Sequence, residues 1–244
     1  MDIEKQKIVA QKFGENVQEY LKNDPRENWG YYHISKVKTD YRLIKHVGLR
    51  DKVVLNVGGF FPIDEIFFAP IVKEFYSIDI SPEVIQFAKK VADFELIHSL
   101  REKLHFQVAD AADLPFEDNL FDVSVSFSTL EHIPDENKRK KAFSEIARVT
   151  KNRGWVIITV PNKLSFWNCR NSMKLQKEGN CPFGYESWYT PGELKKIMVE
   201  VGLIPMLFTS SAGDFSGSFR FVTRVYNLLV RKFGKRMGWI ARKI

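Results

Sequence analysis

From Val53 onward the chain alternates short apolar runs with amphipathic stretches, and this alternation restricts the fold more than any other feature. The runs lie at 53–55, 75–78, 104–108, 123–127, 155–160 and 204–208. Charges and glycines bound the first, as expected of a strand buried on both faces of a parallel sheet, and the others are similar runs. Between them, 82 to about 98 carries Val84, Ile85, Ala88, Val91 and Ala92 at helical spacing, with Ser81 and Pro82 as cap and first turn. Residues 136–149 repeat the pattern with Ala142, Phe143, Ile146 and Val149, and Gly154 is the expected stop. Residues 191–201 follow Thr190 as N-cap, and Gly202 closes them. Strands alternating with helices are βαβ units, which stack into a parallel sheet covered by helices. Ligands of such sheets lie at the carboxyl ends of the strands, so the strand-end residues direct the search.

Upstream, 3–21 and 35–46 read as two helices broken at 24–30, the second stopped by Gly48. The expected organisation is one domain. It has a helical cap (1–48), a core (49–209) with an inserted lid (162–188), and a basic tail (210–244) that ends in a further strand from Gly238.

Hydrophobic residues make up 44% of the chain, enough for a packed core. The charged start and the lack of an apolar run of about 18 residues predict a cytoplasmic protein. Cys169 and Cys181 stand apart from any histidine at zinc spacing and read as free thiols, and no metal site is expected. The net charge is +7, yet eight of the 37 basic residues and none of the 30 acids fall in 219–244. Within 219–236, Val222, Val225, Tyr226, Leu229 and Phe233 form one stripe. Such a basic amphipathic helix either packs on the core or touches an anionic membrane surface from one side. No recognition module accompanies it, which argues against nucleic acid as the partner.

The first strand ends in Asn56-Val-Gly58-Gly59, where glycine lets backbone approach a ligand. Asp79 ends the second strand, about 20 residues on, the place of an acid that holds a ribose diol. Asp110 ends the third, where a carboxylate can accept a hydrogen bond from an adenine amino group. A dinucleotide site needs a second glycine for its pyrophosphate, and that position is Phe60. An adenosine without phosphates is the ligand these ends favour.

From about Lys52 to Leu203 the chain resembles the class I S-adenosylmethionine-dependent methyltransferases, in particular the type 11 branch. The likeness rests on Asp110-Ala-Ala-Asp-Leu-Pro-Phe116, Phe121-Asp-Val123, Leu130-Glu-His-Ile-Pro-Asp135 and Glu145-Ile-Ala-Arg-Val149. Asn152-Arg-Gly154, Val160-Pro-Asn162 and Tyr189-Thr-Pro-Gly-Glu-Leu194 add to it. It implies a Rossmann-like fold with a seven-stranded, mostly parallel sheet, and S-adenosyl-L-methionine as cofactor. In that fold Gly58 would meet the methionine part, Asp79 the ribose and Ile80 the adenine face. Asp110 and the Ala111 backbone would read the adenine edge, and Phe127 would line the pocket under the sulfonium.

The glycine loop departs from the family's acid-x-Gly-x-Gly-x-Gly. Asn56 replaces the acid, and Phe60 and Pro62 narrow the loop. Asp64 and Glu65 would repel a carboxylate at the following helix, leaving Tyr31, Tyr32, His33 and Lys36 to hold that end of the cofactor.

A sulfonium methyl needs an aligned nucleophile and a dry site. His132, just after the fourth strand, is the candidate base or acceptor-positioning group. Tyr31, Tyr32, His33, Trp167 and Trp188 are the candidate acceptor-binding residues. The expected acceptor is a small molecule, a lipid-linked intermediate or a glycan precursor, methylated on oxygen. Two competing readings are a non-catalytic binding or scaffold relative and an RNA methyltransferase.

Overall fold

The computed structural model describes residues 11, 15, 43–165, 168–181, 183–211 and 233–244. Most of the expected cap, the basic stripe over 219–232, and Trp29, Tyr31, Tyr32, His33, Lys36 and Trp167 lie outside these residues.

Seven strands form one sheet: β1 (Val53–Val57), β2 (Glu74–Asp79), β3 (Leu104–Val108), β4 (Phe121–Phe127), β5 (Thr150–Pro161), β6 (Leu203–Ser211) and β7 (Arg236–Lys243). Their order is β3-β2-β1-β4-β5-β7-β6. β1 to β5 run parallel, and β7 inserts antiparallel between β5 and β6. The strand expected at Gly238 is thus present and begins two residues earlier. β1 pairs with both β2 and β4, so the chain reverses direction across the sheet at β1 and β4. That switch point opens a crevice at their carboxyl ends.

Helices α1 (Ile63–Phe68), α2 (Pro82–Glu95), α3 (His98–Arg101), α4 (Glu136–Val149), α5 (Met173–Lys177) and α6 (Pro191–Glu200) cover the sheet. On one face Phe143, Ile146, Leu194 and Met198 of α4 and α6 bury against Leu55, Val156 and Ile158. On the other, Leu43, Ile44, Val47, Phe68 and Ile85 bury against Val54, Val123 and Ile157. Successive strand residues therefore meet apolar partners on opposite faces, and Leu55, Val123 and Val156 are fully buried. Residues 43–47 are helical, and Gly48 stops them with φ +63°.

The predicted caps hold. Ser81 accepts from Val84 N at 3.3 Å. Thr190 and Glu193 form a reciprocal box, Glu193 Oε2 accepting from Thr190 N at 2.7 Å, a device worth about 1 kcal/mol. Two boundaries differ from expectation. The second helix ends at Glu95, because Leu96 turns extended, and α3 follows as a separate turn. Gly154 does not stop α4, which already ends at Val149. It lies inside β5, where Phe121 pairs with Thr150 but Val123 with Trp155. The extra residues make a bulge, and a Cβ at Gly154 would press on Lys151 O and Asp122 O.

Candidate functional site

The parallel register brings four strand tips side by side. At the tip of β1, Gly58 and Gly59 both donate to Ile78 O, at 2.8 and 3.2 Å, and Gly58 has φ +86°. A Cβ at Gly58 would run into the Thr129 side chain, which caps the β4 tip. At Gly59 it would run into Ser77 Oγ and meet Glu65 Oε1. The glycines therefore allow the β1, β2 and β4 tips to close around each other.

Asn56 is 4% exposed, and its Nδ2 donates to Glu65 Oε1 at 2.8 Å. Glu65, in the first turn of α1, is fully buried. The loop thus carries its carboxyl on α1, nine residues after Asn56. Asn56 Oδ1, Glu65 Oε2 and Ser77 Oγ are buried with no hydrogen-bond partner among the described residues. Three such atoms around one loop are an excess of acceptors awaiting donors. Glu65 and Ser77 escaped the sequence reading. The one signal for Glu65 was an acid one turn into a helix that follows a glycine loop. Phe60 and Phe61 do not crowd this place: they pack toward α2 with Val84, Phe87 and Val91, the Phe61 and Phe87 rings 5.3 Å apart.

Asp79 is half-buried at the β2 tip, and its Oδ1 accepts from Ser81 N at 2.9 Å. Burial pushes its carboxyl up to about 6, against smaller opposing help from the Ser81 and Ile80 amides. Ile80 is 37% exposed, an apolar face beside that acid. Ala109 N donates to Asp79 O at 3.0 Å, which ties the β3 tip to it. Asp110 follows: its Oδ1 accepts from Ala112 N at 2.9 Å, and its Oδ2 pairs with Lys138 at 2.6 Å. The two sequence-predicted acids therefore stand on neighbouring tips. Ala111 is half-buried in the turn they share. Phe127, 4% exposed, ends β4 in the core with Val125 and Ile157.

Beyond β4, Ser128 takes φ +55°, unusual for a residue with a side chain. A 3-10 turn (Leu130–His132) follows and buries Glu131 to 1% and His132 to 8%. His132 Nδ1 bonds Tyr185 O at 2.8 Å, so Nδ1 carries the proton and Nε2 is the acceptor nitrogen. Burial lowers the imidazole to about 4, so it is neutral across the physiological range. The Phe183 ring lies 5.2 Å from it. Burial drives Glu131 the other way, up to about 8, with the nearby Glu186 adding to the rise. Ser128 Oγ lies buried beside the Glu131 carboxyl and opposes part of that rise. A buried acid beside a candidate histidine is a second feature the sequence reading passed over, since position 131 showed only a family motif.

The segment expected to be a lid is tied to these tips. Glu131 O accepts from Ser187 N at 2.9 Å, and Gln176 exchanges two hydrogen bonds with Glu186. Asn162 Nδ2 reaches Gly234 O at 2.8 Å, anchoring the segment's start beside β7. Trp188 lines a groove between α4 and α6, and its Nε1 is buried without a partner among the described residues. Cys181 in this segment is buried.

Residues 64–158 match the methyltransferase domain family. A 53-residue stretch is 47% identical to the tRNA (carboxymethyluridine(34)-5-O)-methyltransferase of Arabidopsis thaliana, covering 22% of this chain and 13% of that protein. A 71-residue stretch is 45% identical to the chloroplastic tocopherol O-methyltransferase of the same plant, covering 29% and 20%. Only a minor part of either relative is thus spanned. The solved structure of an S-adenosylmethionine-dependent methyltransferase from Thermotoga maritima superposes with TM-score 0.66 at 17% identity, over 97% of this chain and all of that one. Residues 64–158 thus match a methyltransferase domain, and the fold around them is shared with solved S-adenosylmethionine-dependent methyltransferases.

Proposed function

We propose that the chain transfers a methyl group from S-adenosyl-L-methionine to a small-molecule, lipid-linked or glycan-precursor acceptor, through an oxygen atom. The observation that carries this reading is the meeting of Asp79 and Asp110 on adjacent strand tips, beside a loop rich in unpartnered buried acceptors. Asp79 keeps one carboxylate oxygen for Ser81 N, leaving the other for a ribose diol. Ile80 offers an apolar face to adenine, and Asp110 with the Ala111 amide lies where the base edge would sit. Asn56 Oδ1 and Glu65 Oε2 are the kind of acceptors an ammonium donor needs. Gly58 and Gly59 supply the backbone there, with Phe127 beneath.

The cofactor brings the activated methyl, so the chain's residues mainly align the acceptor and exclude water. His132 at about 4 is too weak a base to take a hydroxyl proton efficiently near neutral pH. Its fixed tautomer presents an acceptor nitrogen, which suits it to orienting an acceptor O–H. Phe183, Tyr185 and Ser187 pack around this turn and help to keep the place dry.

The test is transfer of labelled methyl from S-adenosyl-L-methionine to a small-molecule extract, with RNA as a parallel acceptor. Label in the small-molecule fraction, lost in His132→Ala, supports the reading. Label in RNA alone, or none in either, refutes it.

A further inference from the structure

We propose that the cavity between α4 and α6 binds a small aromatic carboxylate, at a place separate from the strand-tip cleft. No residue assigned to the cofactor lines it, so it stands independently of the methyl-transfer reading. The cavity is a half-open groove of about 210 Å³ with both polar and apolar walls, room for one small ring. Trp188, Tyr189 and Ile197 form its apolar side, above the buried Phe143.

The charges select the ligand's head group. Glu136 and Lys140 pair at 2.8 Å. Glu193 is held by its own cap, at 2.7 Å from Thr190 N, and by Lys163 at 3.6 Å. Arg139 is different: it is 9% exposed, and its partners are Ile133 O, Pro134 O and the Tyr189 hydroxyl. Among the described residues no carboxylate lies within ion-pair distance of it. A guanidinium has five N–H donors, and a buried cation without a counter-charge is costly, so an anion beside it offsets that cost. Trp188 Nε1 is a further buried donor without a partner among the described residues. A carboxylate in this groove would meet the guanidinium in the planar geometry it prefers. The flanking Glu136 and Glu193 carboxylates disfavour a dianion such as phosphate. The apolar walls disfavour a bare anion.

The test is calorimetric titration of the full chain with benzoate, benzyl alcohol and inorganic phosphate. Benzoate is expected to bind saturably and at least tenfold more tightly than benzyl alcohol or phosphate. Arg139→Met removes the anion contact and should abolish that preference. Should this variant fold poorly, Ile197→Trp fills the cavity from its rim and should abolish benzoate binding while keeping the thermal midpoint and the response to S-adenosylhomocysteine. No benzoate binding, equal binding of benzyl alcohol, tighter binding of phosphate, or benzoate binding unchanged in Ile197→Trp overturns the assignment.

Discussion

Replacing Glu131 by glutamine should make the protein more stable at neutral pH and flatten its response to pH. Glu131 is 1% exposed, and burial raises its carboxyl from 4.5 to about 8. The folded state then holds a proton that the unfolded chain releases, so stability falls as pH rises between those two values. At about 1.36 kcal/mol per pH unit, the whole interval is worth about 5 kcal/mol. About 3 kcal/mol of it is already lost at pH 7. The Glu131→Gln variant keeps the side chain's volume and has nothing to titrate there. Urea unfolding at pH 5, 6, 7 and 8 measures both proteins. The gap between variant and parent should widen by about 3–4 kcal/mol from pH 5 to pH 8. At about 2–4 °C per kcal/mol for a chain of this size, the thermal midpoint of the variant at pH 7 should lie several degrees higher. Parallel stability curves, or a variant that loses stability at pH 7, would show that Glu131 is ionised in the folded protein and refute the reasoning.

Asp79→Asn should separate stability from binding. Its acid, raised to about 6 by burial, opposes folding above pH 4. The amide keeps the acceptor for Ser81 N, so the variant should gain about 1–2 kcal/mol at pH 7 after discounting for partial exposure, while S-adenosylhomocysteine affinity falls at least tenfold by calorimetry. In the parent, affinity for S-adenosylhomocysteine should drop about tenfold from pH 7 to pH 5, as the carboxylate population shrinks. Gly59→Ala should cost about 1–3 kcal/mol in urea unfolding, because its Cβ meets Ser77, Glu65 and Asn56. With a working acceptor, the rate should show no inflection near 6.5 from His132, whose titration lies near 4.

Where local chemistry decides structure, the sequence was legible. The apolar runs at 53–55 and 123–127 are too short for helices and lie in β1 and β4. Thr190 with Glu193 marks a helix start by a hydrogen-bond pattern that needs no tertiary partner. Gly154 was misread because glycine serves both helix ends and bulges, and the choice depends on the β4 register, which no local pattern encodes. The acids at 79 and 110 were legible because a parallel strand's end fixes where its next residue lies. The Asn56–Glu65 bond was not, because it depends on the angle at which α1 leaves the loop. Trp188 was placed with the acceptor by its position in an aromatic segment, yet it faces the α4–α6 cavity. His132 was chosen by position, whereas its weak basicity follows from burial under Phe183 and Tyr185.

Calorimetric titration of the full chain with S-adenosylhomocysteine at pH 7.5 tests the account most directly. One molecule should bind per chain, with the heat lost in Asp79→Asn and retained in Ile197→Trp. A parent protein that takes up no S-adenosylhomocysteine, or an Asp79→Asn variant that binds it as well as the parent, would contradict the account and leave a non-catalytic relative in its place.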